Sequence, residues 1–194
     1  LIKISIEAVG NHIRRCKMKI AKGLFVMMFL FSMVASVYAI HGTTPAETTV
    51  AIPGEDAAQL YNYIMRGNPY ASWELWPGKG KLYKGTEPHG ALLTTYVNQP
   101  AYFSAKDKSG KMKDGSIIVK ENYTPDKKLA ALTVLHKIKG YNPSAGDWFW
   151  AKYAPDGTVQ ASGKVKDCID CHGKKKDNDY IMTDKIKKAK AGGY

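Results

Sequence analysis

From Ala91 to Ser162 the chain is a succession of short β-prone segments separated by turn residues. Ala91 to Asn98, Ser116 to Tyr123, Leu129 to Tyr141, Asp147 to Tyr153 and Thr158 to Ser162 carry the β-branched and aromatic residues that suit a pleated surface. Asp114-Gly115 introduces the second segment, and Pro155-Asp156-Gly157 turns the chain between the last two. Such segments bury their apolar sides only by pairing. The pattern therefore predicts an α+β fold that is mostly β: a curved antiparallel sheet with flanking helices. A helix is expected over Asp56 to Met65, capped by Asp56 and stopped by Gly67, Asn68 and Pro69. Tyr70 to Lys84 reads as an aromatic, glycine-rich loop, and Pro100 to Ser104 as a short helical turn. The tail, Asp179 to Ala191, is expected to be a helix with its lysines in water.

The front of the chain has a different character. After Met18, Lys19 and Lys22 precede an apolar run, Leu24 to Val37, which ends at Val37-Tyr38-Ala39. This is the layout of a secretory signal, with cleavage expected after Ala39. The apolar run falls short of the roughly 20 residues that cross a bilayer, so no stable membrane span is expected. Residues 1–39 thus read as leader and signal peptide, 40–54 as an extended lead-in and 55–194 as the folded domain. A periplasmic or extracellular location follows. Six of the 29 basic residues and one of the 17 acidic ones precede Ile40, leaving the remainder at +7. A basic surface favours acidic partner proteins or anionic surfaces, although solvated lysines alone also account for it. No basic-aromatic recognition motif points to nucleic acid.

Two cysteines follow Ala39, and they stand in Cys168-Ile169-Asp170-Cys171-His172. This C-x-x-C-H string is the attachment pattern of haem c. Two thiols add to the two vinyl groups of one porphyrin, and the adjacent imidazole reaches the iron. A zinc site needs four ligands, and there is no second cysteine pair. A thioredoxin-like disulfide needs a parallel βαβ setting, which the sequence lacks. One motif implies one covalent haem, held by Cys168 and Cys171, with His172 as the proximal ligand. The sixth position then decides between electron transfer and small-molecule binding. His41, His89, His136, Met112 and Met182 are the candidates for it, and each has an ordinary structural reading as well.

Several stretches resemble the cytochrome P-460 and cytochrome c′-beta family. They are Pro88 to Asn98, Asp114 to Tyr123, Lys139 to Val159, Gly163 to His172 and Asp177 to Thr183. The order GDWFWAKY, PDGT, C-x-x-C-H is more specific than the haem motif alone. The resemblance implies a mostly antiparallel β fold, commonly a homodimer, with His172 as the proximal ligand of haem and an open distal site. It implies a small gaseous or nitrogen-oxide ligand, such as nitric oxide or hydroxylamine, and a redox partner protein. One branch of the family oxidises hydroxylamine and crosslinks its haem to a lysine; Lys120 matches that position, and an ordinary strand-end lysine is the other reading. The same alignment puts Leu93 where that branch has a distal arginine. It puts Leu132 to Leu135, which contain no acid, where that branch has a carboxylate. Leu93 and Leu135 are then expected beside the haem, in an apolar pocket with Lys120 at its edge.

Overall fold

The structure is a computed structural model that describes residues 51–188. Among these residues lies one antiparallel sheet of seven strands. They are β1 (Glu74–Leu75), β2 (Tyr83–Lys84), β3 (Leu92–Val97), β4 (Ile117–Tyr123), β5 (Leu129–Lys137), β6 (Trp148–Tyr153) and β7 (Val159–Gly163). β3 to β7 pair in chain order, as the turn signals require, while β1 and β2 both pair with β3. The sheet is open, and the expected mostly β fold with flanking helices is what forms.

Alternation along the strands gives the sheet two apolar faces. Ile117, Val119, Val134, Phe149 and Tyr153 lie on one. It is covered by helix α1 (Ala57–Asn62), which a π turn, Tyr63–Gly67, continues. Asp56 caps α1 as expected, accepting from the Gln59 amide at 2.9 Å. Glu121 belongs to this face, where Tyr70 and Tyr123 donate their hydroxyls to it at 3.0 and 2.8 Å.

Ile118, Leu135, Trp148 and Trp150 lie on the other face. Helix α2 (Gln99–Lys106) covers part of it. The Asn98 side chain caps α2 and also binds the Ile117 amide and the Gly115 carbonyl, fixing the helix to the start of β4. Helix α3 (Lys166–Gly173) carries the C-x-x-C-H residues onto the same face.

The expected tail helix does not form across its described part. Asp179 and Tyr180 adopt positive φ, 53° and 65°, which breaks a right-handed helix. Tertiary contacts hold them there. The Asp179 carboxylate accepts from Lys137 Nζ at 2.6 and 2.8 Å and from the Met112 amide at 2.8 Å, and its carbonyl accepts from the Trp148 indole at 2.9 Å. Beyond them the chain runs irregularly and bridges Ser109 through Lys187. The residues assigned to leader and signal peptide, most of the lead-in, and His41 lie outside the described residues.

Candidate functional site

Spacing within α3 sets the first wall of the site. Cys168, Cys171 and His172 stand at i, i+3 and i+4, so they share one helix face. Both thiols are free and half-buried. Burial raises the Cys168 thiol above its ordinary pKa. The His172 ring packs edge-on to Trp150, with centroids 4.7 Å apart. Its Nδ1 lies 2.7 Å from the Tyr180 carbonyl. A carbonyl only accepts, so Nδ1 carries the proton and Nε2 keeps its lone pair. Burial pushes the His172 pKa below its ordinary value, opposed by the Tyr180 carbonyl and helped by Lys120.

These residues open onto a cavity of ≈ 1120 Å³. Its other wall is the second sheet face. Leu93 of β3, Lys120 and Asn122 of β4, Thr133 and Leu135 of β5 and Trp150 of β6 all line it. Register explains the grouping, because Leu93 pairs with Asn122, Lys120 with Thr133 and Leu135 with Trp150. Cys168, Cys171, His172, Lys120, Leu93 and Leu135, all singled out from the sequence, are thus brought together on one cavity. Lys120 is 7% exposed, and burial brings its amine down to about 8.

His89 also lines the cavity. It is delivered by the loop from Gly85 to Gly90, which lies so close to β4 that a Cβ at Gly90 would stand 2.5 Å from Tyr123 backbone atoms. His89 Nδ1 is 2.9 Å from Asn122 Oδ1. The Asn122 amide nitrogen donates to the Lys120 and Ala131 carbonyls, which fixes the amide with its oxygen toward His89. His89 therefore donates through Nδ1 and, like His172, keeps a free Nε2. Burial first, then Lys120, pushes its pKa down to about 4, against the Asn122 hydrogen bond. The His89 and His172 ring centroids are 6.2 Å apart, with planes at 86°.

The other sixth-ligand candidates fall elsewhere. His136 is on the α1 side of the sheet, pairing with Ile117 and Phe149. Met112 is buried in the cluster under α2 and does not line the cavity. Met182 reaches the cavity but is 43% exposed. Sequence reading singled out neither Asn122 nor Trp150. Both lie in stretches that carry the family resemblance, but it is strand register that places them on the cavity.

The residues present fit haem c. A cavity of this size takes a macrocycle, the paired thiols and free imidazole nitrogen share one wall, and the opposite wall is largely apolar. Trp150 lines the cavity, and its Nε1 is buried with no hydrogen-bond partner, a donor awaiting an acceptor. Lys84 and Lys152 line the cavity, where they would supply cations for the two carboxylates that haem carries. A sequence profile of the family described as Cytochrome P460 matches residues 70–183. The chain belongs to the cytochrome P460 family. Haem c is the cofactor that membership in this cytochrome family implies. No curated protein matches the chain. Among the described residues, no helix is long and apolar enough to cross a membrane.

Proposed function

We propose that this cytochrome is an exported monohaem protein that binds or transforms small neutral nitrogen oxides. One observation carries the reading: the C-x-x-C-H residues of α3 face a largely apolar sheet wall across a single cavity. In it, Cys168 and Cys171 would hold the haem through thioethers to its vinyl groups, and His172 would supply its free Nε2 to the iron. The haem contributes an iron that can change redox state and bind diatomics. The Tyr180 carbonyl orients the His172 ring, and the hydrogen bond to it raises the ring's basicity as a ligand. Leu93 and Leu135 line the cavity and would give a bound haem apolar neighbours, which disfavours charged ligands and leaves nitric oxide competitive. The signal-like run before Ile40 supports export, where covalent attachment prevents loss of the cofactor. The test is a pyridine haemochrome assay followed by nitric oxide titration of the ferrous protein. One covalent haem and a stoichiometric spectral change are expected; haem without any nitric oxide complex would sink the reading.

Hydroxylamine oxidation through a lysine-crosslinked haem is the second reading. Lys120 favours it, because burial brings its amine down to about 8, so that a neutral, nucleophilic fraction exists near neutral pH beside the predominant cation. Against it, the carboxylates lining the cavity are Glu87 and Asp167, and both are exposed. Neither offers the buried general base that removal of protons from hydroxylamine calls for. Tryptic mapping of the haem peptide tests it, since a crosslink joins the Lys120 and Cys168 peptides.

A further inference from the structure

We propose that His89 is the second axial ligand of the haem, so that the resting site is six-coordinate and a diatomic must displace an imidazole to bind. The inference rests on the reading above that haem sits in this cavity with His172 on its iron. A metal–imidazole bond is about 2 Å long and an imidazole nitrogen lies about 1.1 Å from its ring centre, so two imidazoles that bind one metal from opposite sides have centres about 6.2 Å apart. The His89 and His172 centroids are 6.2 Å apart.

Protonation agrees with distance. Each ring spends its Nδ1–H on an oxygen acceptor, His172 on the Tyr180 carbonyl and His89 on Asn122 Oδ1. Metal-bound histidines characteristically tie the non-ligating N–H to such an acceptor, which fixes the tautomer and aims the other nitrogen. A histidine present only for packing has no need of a ring nitrogen left without a partner on this cavity. Asn122 is itself held by three acceptors, the carbonyls of Lys120 and Ala131 and the Thr133 hydroxyl. His89 is therefore braced from β4 even though its own backbone is in a loop.

The consequence is a ligand gate. The loop is tied at its base by the Gly85 amide on the Ala91 carbonyl, and by the His89 amide on the Thr86 carbonyl. Among the described residues, the Asn122 hydrogen bond is the one its imidazole makes to another side chain. Release of His89 from the iron would leave the His172 side unchanged and open the distal face. The site would carry electrons while His89 is bound and take up nitric oxide after it leaves.

The test uses covalently loaded protein from a host that matures cytochromes c. Pyridine haemochrome quantifies the haem, and electron paramagnetic resonance and absorption report its spin state. Ferric wild type should be low-spin with a bis-imidazole signal. His89→Ala should become high-spin, and His89→Met should show a near-infrared band from iron–thioether coordination. Carbon monoxide association to ferrous wild type should level off as its concentration rises, limited by loss of His89. In His89→Ala it should rise linearly and be at least 10-fold faster at the highest concentration. Haem-loaded wild type that is high-spin, or His89→Ala with wild-type spectra and kinetics, overturns the assignment of His89 alone. Wild type without covalent haem overturns the haem-site reading and this one with it. Should His89→Ala fail to accumulate, the wild-type spin state and the saturation of its carbon monoxide kinetics decide.

Discussion

His172 donates through Nδ1 to the backbone carbonyl of Tyr180 at 2.7 Å, and that carbonyl is one residue beyond a buried ion pair. Asp179 and Lys137 meet with side chains 6% and 0% exposed, and Lys137 Nζ also donates to the Gly146 carbonyl at 2.7 Å. The pair anchors the left-handed residues that follow α3, so the orientation of the His172 ring is set from β5.

Removing one partner of that pair leaves the other buried and unpaired, which costs about 3–5 kcal/mol. Asp179→Ala is therefore expected to lower the urea midpoint strongly at unchanged slope. Lys137→Met/Asp179→Leu, which removes both charges, should recover much of the loss. Equilibrium unfolding of the three proteins checks this. A single variant as stable as wild type would show that the pair is not the anchor.

Thioether formation needs each thiol separately. Cys168→Ala and Cys171→Ala should each keep haem through one bond, in reduced yield. The double variant should release all its haem into acid acetone. Haem that stays with the double variant after extraction would place the attachment elsewhere.

Lys120 is a buried cation with no hydrogen-bond partner from its Nζ among the described residues. Lys120→Leu is expected to leave nitric oxide and carbon monoxide affinity within about threefold, a change of under about 0.7 kcal/mol. It should hold or raise the urea midpoint at pH 7, since a desolvated charge is lost. It should also abolish any red-shifted Soret band that a crosslink produces. A large loss of gas binding would give Lys120 a direct role at the ligand.

His136, 3% exposed on the α1 side of the sheet, has its pKa pushed down by burial to about 4. Its ordinary value is 6.5. The folded state resists the proton that the unfolded chain takes up. Stability from this group is thus complete above pH 6.5 and falls as pH drops toward 4. The shift corresponds to about 3 kcal/mol. His136→Leu should flatten the pH dependence of the urea midpoint across this window relative to wild type. Its Nδ1 has no hydrogen-bond partner to lose. Parallel pH profiles for the two proteins would rule out the assignment.

The sheet and the attachment motif are legible in the order of residues. Both are local codes. Strand periodicity and hairpin turns repeat within a few residues, and C-x-x-C-H places three groups on one helix face whatever surrounds it. The resemblance-derived positions of Lys120, Leu93 and Leu135 also fell on the cavity, because strand alignments preserve which face a residue takes. The remaining features depend on partners distant in the chain. The tail from Asp179 has helical composition, yet Lys137, Met112 and Trp148 hold its start in a left-handed conformation. His136 and His89 look alike as lone histidines beside strands, and one residue of strand parity turns the first away from the cavity. His89 is brought opposite His172 by a loop packed against β4 and by Asn122, 33 residues further on. No local pattern encodes that distance, because it is set by the register of β3 on β4 and by the docking of α3 on the same sheet face.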